Sequence, residues 1–151
     1  MSLQFKASSG YKERVTESFG RQEMMKTIKT SIIAIRPGEI ELGFPYQANL
    51  TQQHGFIHAG IVSTVLDTAC GYAAFSLMPE NAAVLTIEFK INFLSPAKGE
   101  RFQAVAKVVK PGENITVTNG ELFSYSEGNR KLVATMAGTI MSVYNREGIK
   151  N

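Results

Sequence analysis

A single cysteine, Cys70, rules out an internal disulfide, and its apolar neighbours mark it as a small buried hydrophobe. There are only two histidines, His54 and His58, four positions apart with Gly55 between them. Without a third ligand nearby the pair does not describe a metal site, and no metal is expected. No proline- or glycine-biased tract is present, so nothing suggests a linker or a fibrous segment. The opening stretch MSLQFKASSG lacks the apolar core of a secretory signal, and the expected compartment is cytoplasmic. Clustered positive charge is missing too. The net charge of +3 is spread singly, often beside an acid as in Lys12-Glu13-Arg14, which argues against a nucleic-acid partner.

At 151 residues, 44% apolar and 19% charged, the chain suits one domain with a real core. Residues 1–151 are read as that domain, with 1–12 as a flexible N-terminal extension. Residues 13–28 show a weak amphipathic helical pattern interrupted at Gly20. Ser31–Arg36 and Glu39–Phe44 are β-prone and joined at Pro37-Gly38, a hairpin signal. The run from Gly55 to Met78 is long enough for a helix of about six turns, with Pro79 as its stop. Ile61, Val62, Val65, Leu66, Ala69, Cys70, Ala73 and Leu77 make its apolar half. Gly60, Ser63, Thr64, Asp67, Thr68, Gly71 and Ala74 make an outward half of small residues, which lets a ligand or a second chain come close. Its one-sided polarity, with Asp67 and His58 inside the run, excludes a membrane span.

Val84–Leu94 then alternates, with Leu85, Ile87, Phe89, Ile91 and Phe93 on one face and Thr86, Glu88, Lys90 and Asn92 on the other. Arg101–Val109, Ile115–Tyr125 and Lys131–Val143 are also β-rich. The short breaks at Pro96–Gly99, Pro111-Gly112 and Glu127–Asn129 favour antiparallel neighbours. The expected class is α+β, an antiparallel sheet wrapped around one long central helix.

Between Gly55 and Pro79 there is no Lys, Arg or Glu, and Asp67 is the sole acid. An isolated carboxylate among glycines and small hydroxyls lacks the local pairing that usually explains a structural acid, although bonding to Ser63, Thr64 or Gly71 at a packed interface is the alternative. The helix is expected to begin near His58-Ala59-Gly60. Its first N–H groups have no partner within the helix and lie at the positive end of the dipole, suited to an oxyanion. A tight loop-to-helix junction would explain the same small residues.

The run Thr51–Gly60 (TQQHGFIHAG) followed by Asp67-Thr68-Ala69 resembles the signature of the hotdog-fold thioesterases, above all their phenylacetate-degradation (PaaI-like) branch. Leu85–Glu88 and Phe93–Ala97 are similar to that family's third strand and exit turn. The resemblance implies a hotdog fold and hydrolysis of an acyl-CoA, the acyl group aliphatic or aryl, with Asp67 as general base or nucleophile. It implies that the Ala59 N–H polarises the thioester carbonyl, that His58 shapes the loop, that Gln52 stands at a polar amide position, and that Thr86 orients water. The pattern departs from the family in having Ala59-Gly60 where Gly-Gly is common and Gln52 where Asn is common. Gly60, Thr64 and Gly71 on the small face are expected substrate contacts. No cofactor is expected, CoA being part of the substrate.

Ala59 and Asp67 are eight residues apart, about 12 Å along a helix, whereas a thioester carbon and its oxygen are a bond apart. If both act on one thioester they come from different chains, so the expected partner is a second copy, in a homodimer with shared sites assembled as a dimer of dimers. Two rivals remain. A hotdog enoyl-CoA hydratase or dehydratase would carry a proline in the loop His54–Gly60, which has none. A non-catalytic acyl-CoA-binding protein gains nothing from a desolvated carboxylate.

Overall fold

A computed structural model describes residues 5–149. Two short helices open it, α1 (Tyr11–Gly20) and α2 (Glu23–Ile28), divided where the sequence pattern breaks. Of the expected N-terminal extension, residues 1–4 lie outside the described residues. Phe5 packs on the core, and Tyr11 and Lys12 already belong to the first turn of α1.

The hairpin of β1 (Ser31–Arg36) and β2 (Glu39–Pro45) turns at Pro37-Gly38 as expected. A loop then leads to α3 (Ala59–Phe75), followed by β3 (Ala82–Phe93), β4 (Arg101–Lys110), β5 (Ile115–Ser126) and β6 (Asn129–Tyr144). The strands form one antiparallel sheet in the order β1-β2-β4-β5-β6-β3, curled around α3. Val62, Val65, Leu66, Ala69, Cys70 and Ala73 are all at most 1% exposed against that sheet, each large side chain contributing roughly 1.5–3 kcal/mol by leaving water. The helix comes close because two strand positions carry no side chain. A Cβ at Gly120 would stand 3.0 Å from Leu66, and one at Gly138 would stand 3.4 Å from the Cys70 Cβ.

Four expectations need correction. The central helix has 17 residues, not about six turns. Residues 51–58 are spent on a loop pinned by a Thr51–Ile57 bridge. At the other end, the Leu77 and Met78 N–H groups tighten onto Ala74 and Phe75, closing the helix before Pro79 is reached. The small-residue half of α3 is outward only in its first part. Thr68, Gly71 and Ala74 are buried, and α1 and α2 reach this face through Phe19 against Tyr72 and Gln22 against Thr68.

The break at Pro96–Gly99 is not a hairpin, since β5 and β6 lie between β3 and β4 in the sheet. Last, β3 does not alternate throughout. Its register with β6 shifts between Thr86 and Glu88, a bulge centred on Ile87. Thr86 pairs with Ile140 and Phe89 with Gly138, both on the helix side, while Leu85 pairs with Met141 and Lys90 with Ala137 on the outer side. The bulge therefore splits the expected apolar row between the two faces. Among the described residues no helix is long and apolar enough to cross a membrane.

Candidate active site

Asp67 sits midway along α3, half-buried, where the helix passes the sheet edge formed by β3. Its Oδ1 accepts a hydrogen bond of 2.8 Å from the Thr86 hydroxyl. Val84 and Thr86 lie on the helix side of β3, ahead of the bulge, which is why a residue assigned by alternation to the polar face meets the helix. Burial raises the Asp67 carboxyl above its ordinary value, and the Thr86 bond offsets this only in part. Among the described residues no Lys or Arg pairs with it.

Around it is a cleft of about 380 Å³, shared by Thr64, Thr68, Gly71, Tyr72, Gln22 and the Val84–Thr86 segment. Two of these were not legible in the sequence. Gln22, at the start of α2, donates through Nε2 to the Tyr72 hydroxyl at 3.2 Å, and that hydroxyl lies 3.0 Å from Ser18 Oγ. Gln22 is distant in sequence and brought in only by packing, so no local pattern marks it. Tyr72 lies in the helix but reads there as one more core aromatic.

The start of α3 is a second, separate place. His58 is the N-cap, its Nδ1 accepting from the Gly60 N–H at 2.8 Å, so the neutral ring carries its proton on Nε2. One of the free donors is thereby consumed. The other is not: among the described residues the exposed Ala59 N–H takes no partner. Ala59 lines a cleft of about 400 Å³ with Gln52, Phe56, Val62 and the Phe93–Ala97 segment. Gln52 does reach this cleft, but its side-chain oxygen turns back to accept from the His54 N–H within its own loop.

The expected residues thus fall into two groups. Asp67, Thr86, Thr64 and Gly71 share one cleft, and Ala59 and Gln52 share the other. His58 builds the helix start rather than a cleft wall, and Gly60 lies beside its ring, outside both. Cys70 is buried among Leu66, Gly120 and Gly138, its thiol pushed up to about 11 by desolvation, so it is no nucleophile.

Comparison with known proteins gives a consistent picture. The sequence profile of the thioesterase superfamily matches residues 54–130. A thioesterase family protein from Silicibacter pomeroyi, known by crystal structure, is 55% identical and superposes with a TM-score of 0.89, covering 90% of this chain and 100% of its own. The PaaI protein of the Escherichia coli phenylacetic acid degradation operon gives a TM-score of 0.81 over 91% of this chain and 96% of its own, at 22% identity, a likeness of fold. Human acyl-coenzyme A thioesterase 13 is 26% identical over 70% of this chain and 74% of its own.

Proposed function

We propose that this chain, which belongs to the thioesterase superfamily and is a thioester hydrolase, acts on acyl-CoA with Asp67 as its reacting carboxylate. The observation that carries the reading is the Asp67–Thr86 pair: a carboxylate short of water, paired with no cation among the described residues, and fixed in direction by the Thr86 hydroxyl. Water, deprotonated by Asp67, adds to the thioester carbon. The carbonyl electron pair moves to oxygen, and the oxyanion is held by a backbone N–H. When the carbonyl re-forms, the CoA sulfur leaves and takes up the proton. Direct attack by Asp67, giving an anhydride that water then opens, uses the same residues.

The N–H we assign is that of Ala59, contributed by a second copy. In support, Ala59 and Asp67 line different clefts of one chain and lie about 12 Å apart along α3. The sheet edge beside Asp67 also asks for a partner. β3 is a 12-residue edge strand; Ile87, Phe89 and Phe93 along it are 52, 43 and 49% exposed, and Leu94 just past its end is 55% exposed. A long apolar edge left open invites pairing, and a second copy would cover it.

Asp67→Asn keeps the shape and removes the base. Release of free thiol from a panel of acyl-CoAs should fall at least ~100-fold in the folded variant. Near-normal turnover would remove Asp67 from the reaction. Enoyl-CoA hydration, followed in parallel, should be absent from both proteins.

A further inference from the structure

Positive charge that the sequence scatters is gathered at one corner of the sheet. Arg101 pairs with Tyr125 across β4 and β5, and Tyr125 pairs with Arg130 across β5 and β6, so the three stand in one row. Leu122 and Ser124 are buried toward α3, which turns Phe123 and Tyr125 to the outer face. Each arginine lies on one of these rings. The Arg101 guanidinium carbon is 3.7 Å from the centre of the Tyr125 ring, and that of Arg130 is 4.2 Å from the centre of the Phe123 ring. The Tyr125 hydroxyl donates to Gln103, whose amide donates to Glu41, and this holds the ring beneath Arg101 in place.

A guanidinium laid flat on a ring keeps its N–H edge free for a carboxylate or phosphate. Among the described residues neither arginine has an ion-pair partner, and neither do Lys98 and Lys131 close by in the chain. All four are exposed. The two rings, on successive outward positions of one strand, set the guanidiniums about 7 Å apart.

This corner lies outside both clefts but adjoins that of the Ala59 N–H. Ala97 and Val133 are walls of that cleft. Lys98 and Arg101 follow Ala97 directly, and Arg130 and Lys131 lead into Val133 along β6, a span of about 10 Å at strand spacing. A small ligand is held in a concavity. An open row of arginine and tyrosine is instead the composition of protein–protein interfaces at their energetic centres.

An acyl thioester is presented either on CoA or on a pantetheine arm fixed to a protein. We propose that this corner docks an acidic carrier protein, whose pantetheine arm delivers its acyl group into the Ala59 cleft. The inference rests on hydrolysis by Ala59 and Asp67 as described above. Water adds to the thioester carbon as before, and the thiol that leaves stays on the carrier.

The test uses purified wild type, Arg101→Gln/Arg130→Gln and Asp67→Asn. Lys12→Gln/Lys26→Gln serves as a control that removes the same charge from α1 and α2. One acyl group, that of the acyl-CoA turned over fastest, is presented on pantetheine, on CoA and on an acidic acyl carrier protein. Thiol release at low and high salt gives kcat and KM, and fluorescence anisotropy of the labelled carrier gives Kd. Wild type should use the acylated carrier at least ~10-fold better than acyl-pantetheine, an advantage that salt removes. Arg101→Gln/Arg130→Gln should abolish this advantage through KM, with turnover of acyl-pantetheine and acyl-CoA unchanged. The lysine control should keep it. A wild type that prefers acyl-pantetheine or acyl-CoA to the carrier at every salt concentration would overturn the proposal. So would an equal loss in the lysine control, which would reduce the effect to net charge. A loss confined to acyl-CoA would assign the guanidiniums to its phosphates, again overturning docking. Full activity in Asp67→Asn, with carrier binding still lost in the arginine variant, would sink the catalytic reading alone.

Discussion

A carboxyl group taken out of water loses solvation of its charged form, so Asp67 holds its proton to a higher pH than an ordinary aspartate does. Hydrolysis by the route proposed above needs the ionised form. The acid limb of kcat/KM should therefore lie above the ordinary carboxylate range, activity falling as pH drops through it. Among the described residues Thr86 donates the side-chain hydrogen bond that favours the charge. Thr86→Val should move that limb to still higher pH, and a limb left unmoved in the pH profile would separate Thr86 from the base. Stability runs the other way. Because the folded value lies above the unfolded one, the contribution of this group is fully present below the unfolded pKa and is lost as pH rises through the folded pKa. Asp67→Asn should accordingly melt above wild type at pH 7, and the gap should close in acid. This residue was legible from the sequence because no other charge of its kind shares the helix. Its partner Thr86 needed the strand to be placed before its direction was known.

The beginning of α3 sets a capping side chain and an unpartnered backbone N–H on adjacent residues. His58 closes the helix by accepting from Gly60. Its loss in His58→Ala should cost about 1 kcal/mol, the usual worth of an N-cap, measured by denaturant unfolding at constant m. Ala59 offers the unused donor. In Ala59→Pro that donor disappears while the first helical turn tolerates the ring. The barrier should rise by ~3 kcal/mol, the typical worth of one oxyanion donor, with the fold intact by circular dichroism. Normal turnover in the folded proline variant would place the oxyanion elsewhere. Ala59→Gly, which keeps the N–H, should be mild. The position of this helix start could be read from small residues after a histidine. Its far end could not, because the last turn closes through local bonds at Phe75 and never meets Pro79.

For the molecule as a whole, the decisive question is whether one chain suffices. Asp67→Asn and Ala59→Pro should each be nearly inactive alone, and mixing them under subunit exchange should restore activity. A mixed dimer has one site with both lesions and one with neither. With equal amounts, about half the dimers are mixed and about a quarter of all sites are intact. Recovery should approach that fraction of wild type, with exchange verified by mass spectrometry of a tagged chain. Exchange without recovery would mean that each site is built within one chain, and that either the helix start or Asp67 has been given the wrong role.

The element types were available in the sequence because each is written locally: period-two runs for the strands, a charge-free run for the central helix, and Pro37-Gly38 for the first turn. Asp67 and Ala59 were available for the same reason, being features of one segment. The sheet order, with β3 beside β6 rather than β4, depends on contacts far apart in the chain, which no short window contains. The bulge at Ile87 is a mismatch between two strands, so neither strand alone records it, yet it decides which face Phe89, Ile91 and Phe93 occupy. Gln22 and Tyr72 close the Asp67 cleft because α1 and α2 fold back onto α3. The sequence by itself determined where each candidate group stands within its own segment, since residue type and immediate neighbours are local. Only the tertiary structure decided which of them meet, because meeting depends on packing between segments that are remote along the chain.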